Sequence, residues 1–225
     1  MVRHFEQELD DLKTNLIKMG SLVDEQIDAS CESLFGAQTE VAQRVIALDA
    51  RVDEFDTLID KECLRIFALA QPVAIDLRLL MSALKINNQL ERIGDIAVNI
   101  AERVEPLAPF NQFLRSTRLQ EMAAIARIMV RDSLDAFIHN NPALATRVLE
   151  SDDVVDNLDR HIFRQLVLEM QRDSSTVVPA SHIMILSRHV ERLADHATNI
   201  AEDVIFLVDA RIVKHNAYED ENRTA

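Results

Sequence analysis

The chain has 225 residues, of which 28% are charged, and a formal net charge of -14. That balance argues against DNA or RNA as a partner, because nucleic-acid affinity rests on Lys and Arg neutralising phosphates, and it suits a cationic partner or a bound metal. Three Gly and five Pro among many Ala, Leu, Glu, Asp and Arg speak against a sheet-rich fold, which needs frequent turns, and predict an all-α chain.

Six long helices are expected. Leu9, Leu12, Leu16, Met19, Val23 and Ile27 recur every three or four residues and place a first helix up to about Gly36, roughly 45 to 50 Å long. Thr39 is expected to cap a second helix with Val45, Leu48, Val52, Phe55, Ile59, Cys63 and Ile66 inward, interrupted at Gln71 and Pro72. A third runs from Pro72 to about Val104. Its Leu77, Leu80 and Leu84 form an apolar surface on which a homodimer could assemble.

The stretch 105–113, with Pro106 and Pro109, reads as the boundary between two halves, 1–108 and 109–225. Thr117 and Gln120 suggest a capping box for a fourth helix carrying Leu119, Met122, Ala126, Met129 and Ser133. Asn141 and Pro142 supply an N-cap and first-turn proline for a fifth. A sixth is expected from Pro179 to about Val213, followed by a polar tail over 215–225. Long helices joined by tight turns predict two antiparallel three-helix bundles.

Two cysteines, Cys31 and Cys63, make no CxxC pair and no secretory apolar region opens the chain, so they read as reduced thiols of a cytosolic protein. The longest apolar runs, such as Val204 to Val208, fall far short of the roughly 20 residues that cross a bilayer. Any membrane association is therefore expected to run through partners.

The two halves repeat a polar pattern. ERIGDIAVNIAER from Glu91 to Arg103 returns as ERLADHATNIAED from Glu191 to Asp203, with eight of thirteen positions identical. Packing alone would preserve apolar character, whereas here Glu91, Arg92, Asp95, Asn99 and Glu102 return as Glu191, Arg192, Asp195, Asn199 and Glu202. Asp49, Asp53 and Asp56 on the second helix likewise return as Asp152, Asp156 and Asp159 on the fifth. Spacings of four, seven and eleven put each set on one helical stripe. Like charges so arranged destabilise a helix and raise carboxylate pKa values unless a cation intervenes. Oxygen-only sets of this kind suit iron, manganese, magnesium or calcium, and zinc with carboxylates. The plainer alternative is a pair of solvated acidic faces, and the angular position of Glu191 opposite the apolar stripe implies that any site is shallow and partly hydrated.

His182, His189 and His196 are seven apart on the sixth helix but lack first-half equivalents and lie off the Glu191 stripe. They are expected at a helix-packing interface. Arg78, Arg92 and Arg192 are expected to pair with acidic neighbours, with phosphate as the other anion they could face. No GxSxG, Gly-rich phosphate loop or Cys-His arrangement is present, so no catalytic constellation is expected. None of the seven histidines follows a Glu at three positions, which argues against a ferritin-like di-iron enzyme. A metal-free helical scaffold stays open as an alternative.

The doubled ERIGDIAVNIAER and ERLADHATNIAEDVIFLV segments, QPVAIDLRLL at 71–80 and the opening HFEQELDDLKTNLIKMGSLVDEQI closely resemble the PhoU family over nearly the whole chain. The resemblance implies two pseudo-symmetric three-helix bundles and a non-enzymatic cytosolic regulator, peripheral to the inner membrane only through partners. It implies dampening of phosphate-starvation signalling by an adaptor linking a phosphate ABC transporter to a sensor histidine kinase. It further implies multinuclear iron or zinc clusters and no organic cofactor. By motif the metal ligands would be Asp49, Asp53, Glu91 and Asp95, and Asp152, Asp156, Glu191 and Asp195, with Asn99, Glu102, Asn199 and Glu202 as additions. Where relatives often carry glycine after the sixth helix's FLV, this chain reads Asp209, Ala210 and Arg211.

Overall fold

The structure, a computed structural model, describes residues 2–70 and 72–213, with side chains from residue 5 onward. Six long helices carry it: α1 (Val2–Gly36), α2 (Thr39–Ala70), α3 (Ala74–Ala101), α6 (Leu119–His139), α7 (Pro142–Arg172) and α8 (Val177–Asp209). Two short helices, α4 (Val104–Leu107) and α5 (Asn111–Arg115), separated by one 3-10 turn, join the sets. No strand occurs among the described residues. The expected all-α architecture of two antiparallel three-helix bundles is the one observed: α1, α2 and α3 pack together, as do α6, α7 and α8.

The apolar stripes read from the sequence form the core. Leu12, Leu16, Met19, Val23 and Ile27 of α1 meet Val45, Val52, Ile59 and Ile66 of α2 and Ile86, Leu90 and Ile93 of α3, all essentially sealed from solvent. In the second bundle Met122, Ala126, Val155, Ile162, Leu186 and Leu193 play the same parts. Burying such side chains contributes about 1.5–3 kcal/mol each. The bundles then meet along a seam of α3 against α8 and α1 against α6, leaving α2 and α7 on the flanks.

Several ends differ from expectation for local reasons. Thr39 is the first helical residue of α2 and not its cap; the Gln38 carbonyl takes the Val41 and Ala42 N–H groups (3.2 and 3.1 Å). The expected Thr117–Gln120 capping box does not form. Thr117 Oγ1 instead donates to the Leu114 carbonyl (2.7 Å) and accepts the Leu119 N–H (3.3 Å). Asn141 does cap α7, accepting the Leu144 N–H at 3.1 Å. α8 starts at Val177 and stops at Asp209, because Ala210 takes a left-handed conformation (φ 55°) that ends the helix. Glycine has no Cβ to strain there. The tail over 215–225 lies outside the described residues.

Residues 104–115 form a folded bridge. Leu107 and Leu114 are buried, while Asn111 Nδ2 and Arg115 Nε donate to the Phe35 carbonyl at 3.2 and 3.0 Å. The bridge thereby satisfies carbonyls that the C-terminal turn of α1 leaves open. The expected Leu77, Leu80 and Leu84 surface is not one surface. Leu80 is fully buried and Leu84 packs partly against the core, leaving Leu77 at 41% exposure. Leu77 lies at the N-terminal end of α3, where Val73 and Ile75 are exposed as well.

Candidate functional site: two acid rows

The antiparallel hairpin of α2 and α3 brings the two first-half stripes face to face. The Asp49 and Asp56 carboxyls are both pushed up, first by burial, with Asp53 adding repulsion in each case and Asp95 also acting on Asp49. Glu91 is raised too, by burial, then by Asp95, against the attraction of Arg92, with Asp56 and Asp53 adding to the rise. Arg92 Nε lies 3.3 Å from Glu91 Oε2, yet that oxygen is buried without an aligned hydrogen bond. The attraction there is therefore coulombic only.

The second half repeats this on α7 and α8. Asp152 is raised to about 6, chiefly by burial and then by Asp195, Asp156 and Asp153. Glu191 is raised by burial and Asp195, opposed by Arg188, with Asp159 and Asp156 contributing. Thus Asp49, Asp53, Glu91 and Asp95 lie in one row and Asp152, Asp156, Glu191 and Asp195 in the other.

The remaining four expected ligands stand elsewhere. Asn99 donates to the carbonyl of Asp95 in its own helix (2.8 Å). Asn199 donates to Gln89 Oε1 across the seam (3.3 Å). Glu202 lines a crevice with Lys85 and Phe206, and Glu102 is exposed near His189, whose pKa it opposes lowering. The cause is axial: eleven residues at 1.5 Å each carry Glu102 and Glu202 about 16 Å beyond Glu91 and Glu191.

Four polar groups beside the rows were not singled out by spacing as ligands. Asn87, 1% exposed, donates to Asp56 Oδ1 (2.7 Å) and Asp60 Oδ1 (3.2 Å) while its own Oδ1 is buried without a partner. Ser187 at the equivalent place donates to Asp159 Oδ1 (2.7 Å). Gln26, reaching through the bundle from α1, donates to Asp49 Oδ1 (3.3 Å). Its Oε1 lies where a Cβ on Gly94 would come within 3.2 Å, so the glycine gives the amide its room. Arg188 bridges Asp159 Oδ2 (3.1 Å) and Glu191 Oε1 (3.7 Å). Asn87 and Ser187 were findable, because they stand four residues before Glu91 and Glu191 with the same offset; Gln26 and Arg188 carry no repeat signal.

Among the described residues no three His, Cys, Asp or Glu side chains converge as a metal site. The carboxylates form open rows and not closed cages. The donor set still fits a hard or borderline cation, since it is oxygen-only, electrostatically crowded and includes the buried Glu91 Oε2 without an aligned hydrogen bond. Replacing Asp152 by Asn should show the crowding directly. A carboxyl raised from 3.8 to about 6 contributes stability below pH 3.8 that is lost as pH rises through 6. After solvent screening of this half-buried group the gain for Asp152→Asn at pH 7.5 is about 1 kcal/mol, or about 2–4 °C in chelated protein. Melting curves at pH 7.5 and 4 test it; an equal gain at both would refute the electrostatic cause.

The histidines occupy the seam, as expected. His196 Nδ1–H donates to Gln89 Oε1 (2.7 Å), and Arg103 Nη1 donates to His182 Nδ1 (3.2 Å). His189 Nδ1 is buried without a partner. Arg78 departs from expectation by donating to the Leu207 carbonyl (3.3 Å) and not to an acid. Arg92 pairs with Glu91 and Asp95 (3.3 and 3.7 Å), while Arg192 acts on the seam, lowering His189 and His196. Burial raises the free thiols of Cys31 and Cys63 to about 11 and about 12, so neither is a thiolate at neutral pH.

The fold and the rows define a duplicated three-helix-bundle protein whose distinctive surface chemistry is carboxylate. A family model described as the PhoU domain matches residues 16–104 and again 119–204, so the chain belongs to the PhoU family. The "phosphate-specific transport system accessory protein PhoU homolog" of Aquifex aeolicus is 40% identical over 209 residues, 93% of this chain and 95% of that one. A Pseudomonas aeruginosa relative of the same description is 36% identical over 95% of this chain and 88% of its own length. The crystal structure of PhoU from Pseudomonas aeruginosa matches with a TM-score of 0.86 at 35% identity, covering 92% of this chain and all of that one. The PhoU crystal structure from Streptococcus pneumoniae, at 24% identity and a TM-score of 0.82 over 94% of this chain and 100% of its own, shares the fold.

Proposed function

We propose that this chain is a non-catalytic regulator of phosphate uptake that dampens phosphate-starvation signalling, acting as an adaptor between a phosphate ABC transporter and a sensor histidine kinase. The relatives' description as accessory proteins of a phosphate-specific transport system supports the first part. No described helix is long and apolar enough to cross a membrane, which agrees with action through membrane-bound partners from the cytoplasmic side. An adaptor works by binding one state of each partner better than the other, and a rigid helical body with two related acidic faces can do so.

The observation that carries the reading is the row of carboxylates repeated once per bundle, with Asp49 and Glu91 in one and Asp152 and Glu191 in the other pushed up, first by burial. Asp49, Asp53, Glu91 and Asp95 would hold iron or zinc in the first row, and Asp152, Asp156, Glu191 and Asp195 in the second. When bound, such ions supply positive charge that relieves the repulsion. The chain's own residues present the oxygens and, through Gln26, Asn87 and Ser187, fix the outer carboxylates.

Affinity capture from phosphate-replete cells should recover the transporter ATPase and the kinase, and deletion should derepress phosphate-regulated genes. Recovery of neither, with unchanged expression, would overturn the adaptor role. Metal binding is tested separately by calorimetry of chelator-stripped protein. Glu91→Ala/Asp95→Ala and Glu191→Ala/Asp195→Ala should each abolish one class of iron or zinc sites, and wild-type binding by both would exclude the rows.

A further inference from the structure

We propose that the end of the α7–α8 groove is a binding site for a nucleoside phosphate. A cavity of about 450 Å³ opens there, lined by Asp159, Arg160, Phe163, Arg164, Met184 and Arg188 with Ser187 behind them. That volume lies within the range of small-ligand sites. The repeat shows that the fold does not demand this lining. At the offsets that relate the acid rows, the first bundle has Asp56, Thr57, Asp60, Lys61, Leu84 and Asn88 in these places. Thr57, Asp60, Lys61 and Asn88 stand where this groove has Arg160, Phe163, Arg164 and Arg188.

Each wall offers a different chemistry. Arg160 and Arg164 are one turn apart on one face of α7, and neither has a carboxylate partner among the described residues. Arg160 Nε is tied to its own helix through the Asp156 carbonyl (3.1 Å), which leaves its terminal nitrogens for an anion. Paired guanidiniums suit phosphate oxygens, which they grip with parallel N–H bonds. Arg188 is already held by Asp159 and Glu191 and serves as a fixed wall. Phe163, 56% exposed, and the half-buried Met184 present an aromatic and thioether surface on which a flat base can lie. Asp159, held by Ser187 and Arg188, can still accept from a sugar hydroxyl or an exocyclic amine.

Inorganic phosphate would use the arginines and leave Phe163 idle; a nucleoside alone would do the reverse. Only a ligand joining an anion to a flat ring uses both. It needs no cation, and although Asp159 and Arg188 adjoin the acid row, the groups that would hold the phosphate and the base, Arg160, Arg164 and Phe163, lie outside it.

Calorimetric titration of the full chain in excess EDTA tests it with ADP, GDP, adenosine and inorganic phosphate. Saturable binding of ADP or GDP with Kd below about 1 mM is expected, at least about tenfold tighter than adenosine or phosphate. Arg160→Ser/Arg164→Ser and Phe163→Ala should each weaken it at least about tenfold without lowering the melting temperature, because all three side chains are exposed. Lys61→Ser in the first bundle should leave it unchanged. Absence of saturable binding, binding that survives Arg160→Ser/Arg164→Ser, or phosphate binding as tight as the diphosphates would each overturn the assignment.

Discussion

Acidification from pH 6.5 to 4 is expected to weaken the seam between the bundles by about 2 kcal/mol through His196. Its pKa is lowered from 6.5 to about 4, first by burial, then by Arg192 on its own helix and Arg92 facing it from α3. A group whose folded pKa is depressed contributes stability above its unfolded pKa and loses it as pH falls toward the folded one. The shift corresponds to about 3 kcal/mol by linkage, which water around a half-buried ring reduces to about 2. The neutral ring keeps its bond to Gln89 (2.7 Å), and protonation would set a third positive charge between two arginines.

The acid rows respond with the opposite sign over much of the same range, because raised carboxyls such as Asp152 regain stability as pH falls below 6. The two must be separated genetically. His196→Gln keeps a side chain able to donate to Gln89 and removes the titration, so its stability between pH 6.5 and 4 should fall less than that of the parent by about 2 kcal/mol. Denaturant melts at pH 7, 5.5 and 4 measure this. Parallel curves for variant and parent would show that the ring is not the titrating group.

The sequence disclosed the helices because their apolar positions follow a 3.6-residue period with no competing signal. Val45, Val52, Ile59 and Ile66 were placed inward and are buried. Helix ends were less legible. Thr117 looked like a cap, yet its hydroxyl serves the preceding turn, a choice set by how the bridge over 104–115 folds back on α1. The rows were legible because duplication separated them from the many other acids of an acidic chain. Their neighbours were not, since Gln26 and Arg188 reach them from positions that no repeat marks. Leu80 was assigned to a surface because its helix is apolar on more than one side, and which side faces the second bundle is decided by packing across the seam.

That seam carries the other large expected effect. Lys85 Nζ lies 2.7 Å from Asp203 Oδ1, and the Asp203 side chain keeps only 10% of its exposure. Ser82 donates to the backbone carbonyl of the same residue (3.3 Å), so α3 and α8 are locked in register at this level. Removing one member of an ion pair costs about 3–5 kcal/mol when both are buried, because the other charge loses its compensation. Lys85 is half-exposed, so Lys85→Met should lose about 2–3 kcal/mol. Its methylene stem also runs beside Phe206, with the ammonium 5.7 Å from the ring, and methionine preserves that apolar contact. Most of the loss should therefore be electrostatic, from the broken Lys85–Asp203 pair, and not from packing. The double variant Lys85→Met/Asp203→Leu separates the two causes, because replacing both partners by apolar groups of similar size is often neutral. Recovery of at least half the loss in a denaturant cycle is expected; a double variant no more stable than Lys85→Met would assign the effect to packing.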